Sequence, residues 1–306
     1  MDALQWEQIE AAVTAAVKED LKCFPRTRKV KYSDRRILLM YFYTVGSDLA
    51  QSHACDASIY NARIYAPRAK MPSLSQFNRR MSEPRAQRIM QRVHERLAGS
   101  LETVPISFMD GKPLLVGVAS KDPDARRGHI MGGIGKGYKL HAWMTEDRRI
   151  PVFSVTPLNV GETLAAARML ETVQFLPDDS LVLVDQNYDC YHLHKAVAQR
   201  NGRLIANPKG DKPLEERHPV NLRQMGEARQ ELIAFRDEHP VILKMVLGMR
   251  VLAEGIFGNL CGTSGGLTHL PPWTRGLKEV TRWVGAKIVL YHARQRAKRL
   301  TEKVAA

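Results

Sequence analysis

Cysteine, aromatic residues and acidic charge are all scarce in this chain, and each scarcity closes off a class of protein. Four cysteines, Cys23, Cys55, Cys190 and Cys261, are scattered over 306 residues with no C-x-x-C pair. Neither a disulfide framework nor a zinc knuckle is indicated, and the four read as small apolar fillers in a reducing compartment. No apolar run is both long and uncharged. The best candidate for a bilayer span, Pro240 to Leu260, carries Lys244, Arg250 and Glu254, each costly at membrane depth, so it reads as a buried helix and no membrane contact is expected. The opening residues, Met1-Asp2-Ala3-Leu4-Gln5-Trp6-Glu7, lack the basic start and apolar centre of a secretion signal, and a cytoplasmic location follows. The glycines of Arg126 to Gly137 have the spacing of neither a Walker A loop nor a dinucleotide fingerprint; that stretch reads as a flexible basic loop.

The shortage of acids has a pattern. Against 46 Lys and Arg there are 32 Asp and Glu, a formal charge of +14. Residues 1–100 hold 17 bases and 10 acids, residues 101–274 hold 20 and 20, and residues 275–306 hold 9 and 2. A neutral centre between basic ends suits a protein that grips a polyanion at its periphery and does chemistry in the middle.

Three regions follow. Residues 1–100 read as helices: an apolar periodicity over 2–22, a helix opened by Ser33 or Asp34, one opened by a Ser73/Gln76 capping box, and one opened by Glu83-Pro84 that bears Arg85, Arg88, Arg92 and Arg96. Short basic helices with tight turns fit a helix-turn-helix-like DNA-binding region, or a bundle with solvated arginines. Residues 101–274 switch to strands at about 104–110, 114–118, 137–144 and 150–156, then a helix at 162–174, a strand at 180–185, a helix at 190–200 and a strand at 203–207. That order predicts an α/β core with a mixed sheet flanked by helices. Pro208 to Asn221 and Cys261 to Thr274 read as connections, and residues 275–306 as a basic C-terminal helix.

Three acids stand on apolar elements: Asp110 after Val104-Pro105-Ile106-Ser107-Phe108-Met109, Asp185 after Ser180-Leu181-Val182-Leu183-Val184, and Glu254 among Val251, Leu252, Ala253, Ile256 and Phe257. Carboxylates at the edge of a core need a partner or a cation. Three on elements able to converge suggest a site for hard divalent metals and phosphoryl transfer on DNA. Arg250, four residues before Glu254, would contact a phosphate or pair with Glu254. Glu162, at a helix start, reads as a favourable dipole contact.

The residues also resemble the DDE transposases of bacterial insertion sequences, in the group of IS4-like and IS5-like enzymes. The resemblance rests on Gly137-Tyr138-Lys139-Leu140-His141, Ile150-Pro151-Val152 and Thr156-Pro157-Leu158-Asn159-Val160. It continues in Val184-Asp185-Gln186-Asn187-Tyr188-Asp189, Arg250-Val251-Leu252-Ala253-Glu254 with Phe257-Gly258, Arg275-Gly276-Leu277, and Pro72-Ser73 with Phe77-Asn78-Arg79-Arg80. It implies an RNase H-like catalytic core in which Asp110, Asp185 and Glu254 hold two Mg2+ ions, for which Mn2+ may substitute. It further implies double-stranded DNA as partner, both element ends and target, a homodimer in the DNA complex, and a nucleoid-associated protein. Arg250, Arg79, Arg80, Lys139 and Tyr188 are the candidate DNA contacts. Leu247 and Cys261 stand where the family has a tyrosine and a lysine, departures that leave the three acids intact. The alternatives are a stand-alone nuclease of the same fold and a catalytically inactive or repurposed DNA-binding protein.

Overall fold

The computed structural model describes residues 1–67, 70–210, 212–262, 266–267 and 270–305. It divides into two compact units, Met1–Gly99 with Asn259–Ala306 and Ser100–Gly258.

The first unit begins with α1 (Ala3–Cys23), α2 (Asp34–Gly46), α3 (Leu74–Ser82) and α4 (Pro84–Ala98). Their starts are set by short polar residues that satisfy free backbone N–H groups. Asp2 and Ser73 form capping boxes with Gln5 and Gln76, Ser33 accepts from the Arg36 N–H, and Pro84 opens α4. Ile37 to Tyr43 are all buried, so α2 is the centre of this unit. The arginines of α4 do not form an open basic face. Arg85 and Arg88 pair with Asp20, and Arg92 and Arg96 with Glu19, which straps α4 to α1.

The second unit holds β1 (Ile106–Leu115), β2 (Arg126–Ile130), β3 (Gly133–Thr145), β4 (Val152–Pro157), α5 (Glu162–Glu171), β5 (Ser180–Val184), α6 (Tyr191–Ala198), β6 (Gly202–Ile205), α7 (Pro219–Met225), α8 (Glu227–Glu238) and α9 (Pro240–Gly248), and most of α10 (Val251–Cys261). It is mixed α/β. The sheet runs β2-β3-β1-β5-β6, with β4 also on β3; β1 pairs antiparallel with β3 and parallel with β5, and β5 parallel with β6. Met109, Trp143, Val182, Val184 and Leu204 from the sheet meet Ala166, Met169 and Leu170 of α5 and Leu193 and Val197 of α6 in one buried cluster.

Three expectations are corrected. The strands expected at 104–110 and 114–118 are one, because β3 is long enough to pair with β1 from Ser107 to Leu115 without a break. The glycine-rich stretch is not a loop but the β2–β3 hairpin, turning at Met131-Gly132, where Gly132 has φ +90°. The apolar run from Pro240 is not one helix but two, broken at Met249-Arg250, with Val241, Ile242, Met245 and Val251 exposed.

The last helix, α11 (Leu277–Ala305), belongs to the first unit. Val280, Trp283, Val284, Ile288, Val289, Tyr291 and Ala293 are all buried, so its first five turns are core rather than a solvated basic surface. Part of the connection from Cys261 to Thr274, and Asp211 within Pro208 to Asn221, lie outside the described residues. No helix among the described residues is long and apolar enough to cross a membrane.

Candidate active site

The parallel pairing of β1 with β5 ends at the rung Met109–Val184. The next residue on each chain is an acid, Asp110 and Asp185, so two distant carboxylates are brought to neighbouring positions at the carboxyl end of β5, where α/β sheets collect their functional groups. Asp110 remains in strand, and its Oδ1 accepts from the Gly111 N–H at 2.7 Å. Burial pushes its carboxyl pKa up; the Gly111 amide and Arg250 oppose this, while Glu162 and Asp185 add to it as like charges. Asp185 is half-exposed and takes Arg250 Nη1 at 3.5 Å.

Glu162, the first residue of α5, sits over Gly111. A Cβ built on Gly111 would lie 3.2 Å from Glu162 Oε1 and 3.7 Å from His141 Nδ1, which is why glycine suits this rung. Lys139 Nζ donates to Glu162 Oε1 at 3.0 Å. His141 is fully buried, and burial followed by the Lys139 charge lowers its pKa to about 4, so it is neutral near pH 7. Its Nε2 lies 2.9 Å from Thr156 Oγ1, whose own hydrogen goes to the Pro157 carbonyl. On that bonding pattern Nε2 carries the proton, and Nδ1, which has no partner, presents a lone pair. Tyr188 forms the floor. It is 0% exposed, its hydroxyl has no partner, and its pKa is driven well up by burial and then by the charges of Glu162, Asp110 and Asp185, so the phenol points at the acids.

Behind this cluster lies a second hub. Asp189, fully buried, accepts from His194 Nε2 at 3.0 Å, from Arg229 at 2.7 and 2.6 Å, and from the Lys209 N–H at 2.7 Å. Burial opposes its charge, but the Arg229, His194 and Lys209 hydrogen bonds outweigh it and hold the carboxyl well below the usual range. This hub ties the turn after β5 to α6 and α8.

The candidate residues are therefore distributed unevenly. Asp110, Asp185 and Arg250 come together with Lys139 and Tyr188. Arg250 lies in the turn before α10, and its partner is Asp185 rather than Glu254. Glu254 is exposed on α10 and makes no ion pair or side-chain hydrogen bond among the described residues. Arg79 is exposed on α3. Arg80 is not available to DNA: it is buried and bonded to Asp34 and to the Tyr32 carbonyl, holding α3 to the start of α2. Tyr188 is likewise too deep for a surface contact. Sequence reasoning gave Glu162 no more than a dipole role and did not single out Asp189, Arg229 or His194. The acid in an apolar strand neighbourhood was a signal for Asp110 and Asp185; Glu162 heads a helix and sends none.

No protein-family model matches the chain. No curated protein matches it either. Among solved structures it is similar to a piggyBac transposase, seen by cryo-EM in a synaptic complex with hairpin DNA, at a TM-score of 0.37 and 10% identity over 72% of this chain. The chain spans about half the length of that transposase, 52%, and a likeness of this degree carries no argument.

The metal ions implied by the sequence resemblance are tested by the side chains themselves. Among the described residues, no three His, Cys, Asp or Glu stand ready to hold an ion. Positive charge at the acids comes instead from Arg250 and Lys139. The donors nevertheless fit in kind: hard carboxylate oxygens on adjacent strand ends, above a buried hydroxyl left without a partner.

Proposed function

We propose that this chain is a DDE transposase: an RNase H-like core that cleaves and rejoins DNA with divalent cations held by Asp110, Asp185 and Glu254, served by a helical DNA-binding region. The observation that carries the reading is the Asp110–Asp185 pair set by the Met109–Val184 rung. Mg2+ or Mn2+ bound there would activate the attacking hydroxyl and stabilise the leaving oxygen. Asp110, fixed by its strand and by the Gly111 amide, supplies the rigid ligand. Asp185, half-exposed, can turn from Arg250 to a cation. Arg250 then becomes a donor to a phosphate oxygen beside the scissile bond. Glu254, unpaired and one helical turn on, is positioned in sequence to follow Arg250 toward the same phosphate. Double-stranded DNA is the expected partner, with two copies acting on two ends.

The test is Mg2+-dependent nicking and strand transfer on DNA by the purified chain. Asp110→Asn and Asp185→Asn should each lower cleavage by about a thousandfold, the scale of losing a group that acts only in the transition state, while DNA affinity is kept. Cleavage without strand transfer would assign a nuclease. A second reading, an inert core on a DNA-binding protein, is favoured by Arg250 already occupying Asp185; under it neither substitution changes any activity.

A further inference from the structure

The rung at Gly111 is lined almost wholly by acceptors. Glu162 Oε1 and His141 Nδ1 both lie over the missing Cβ of Gly111, at 3.2 and 3.7 Å from where it would be. Asp110 precedes that glycine, and Asp185 follows the neighbouring strand. Against these the chain offers one primary donor at Glu162, Lys139 Nζ. Two polar groups remain buried without partners, His141 Nδ1 and the Tyr188 hydroxyl. The hydroxyl points at the same carboxylates. Buried acceptors and hydroxyls are ordinarily satisfied, so orphans beside clustered carboxylates mark a place where a ligand belongs. Acceptor-rich surroundings select a cation or its bound water.

We propose that Glu162 is a further oxygen donor of the Asp110–Asp185 cation site, parked on Lys139 until an ion arrives. This rests on the metal-dependent reading above and deepens it. Lys139 competes with the ion for the carboxylate, so the site is self-neutralised when empty and its affinity is set partly by how firmly Lys139 holds Glu162. Gly111 keeps the space between strand and helix open, since a side chain there would press on Glu162 Oε1.

The test uses Tb3+ as a probe of hard-cation binding, read by luminescence sensitised by nearby aromatic rings, with the full chain and no DNA. The expected result is a saturable signal that Mg2+ and Mn2+ displace, that Tyr188→Phe diminishes, and that Asp110→Asn abolishes. Glu162→Gln keeps the size of the side chain and its bond from Lys139, and should weaken Tb3+ binding about tenfold or more. Lys139→Met should tighten it. If Glu162→Gln binds as the natural chain does while Asp110→Asn loses the ion, Glu162 is no ligand and the metal-dependent reading stands. If the natural chain shows no saturable binding, that reading and this inference both fall.

Discussion

At Asp110, burial and two neighbouring carboxylates push the carboxyl pKa up, and only the Gly111 amide and Arg250 pull it down. A raised carboxyl pKa means that the contribution to stability is fully present below the unfolded value and is lost as pH rises through the folded one. At neutral pH the charged form is therefore a burden on the fold. Asp110→Asn is expected to raise the melting temperature at pH 7, by stabilisation of about 1 kcal/mol, with the gain shrinking as pH falls toward the carboxylate range. Thermal melts of both proteins from pH 4 to 8 check this. An unchanged or lower melting temperature at pH 7 would mean that Asp110 is a satisfied structural residue. Asp110 was legible in the sequence because a charge at the end of an apolar strand is conspicuous. Arg80 was misread for the opposite reason: adjacent Arg79 and Arg80 look alike on paper, and only the helix phase of α3 sends one to solvent and the other to Asp34.

Among the elements, the register between β1 and β5 matters most, because one rung of slippage would turn Asp110 away from Asp185. The turn after β5 is held by Asp189, whose bonds to Arg229, His194 and Lys209 fix the loop carrying Asp185 and Tyr188. Asp189→Asn should leave Arg229 buried without its counter-charge and cost about 3–5 kcal/mol, read as a lower denaturant midpoint. With its carboxyl pKa depressed in the fold, Asp189 gives stability that is present above the unfolded carboxylate value and is lost as pH falls through the folded one. The natural chain should therefore lose more stability on acidification than Asp189→Asn does. The period-two patterning and apolar runs made most strands and helices readable. The β2–β3 hairpin was not, because its glycines mimic loop composition while the ladder along β3 makes it strand. The break at Met249-Arg250 was hidden by the uninterrupted apolar character on both sides.

For the molecule as a whole, the charge segregation seen in the sequence is partly spent internally. Arginines of the basic amino-terminal region strap α4 to α1, and Lys287 of the basic carboxyl-terminal region pairs with Asp48. What remains for a polyanion is smaller than +14 suggests. The mixed α/β character of the centre and the helical character of both ends were legible. That residues 275–306 fold into the core of the amino-terminal unit was not, because Arg294, Arg296, Lys298 and Arg299 dominate the reading of a helix whose earlier turns are buried. The claim on which the functional reading depends is that Asp110 and Asp185 share a divalent cation. The direct measurement is an anomalous difference map from crystals soaked in Mn2+. The account predicts a peak with oxygens of both carboxylates at about 2.0–2.3 Å, the range of a small hard cation. A map with no peak at these two residues, in crystals that show Mn2+ elsewhere, would contradict it.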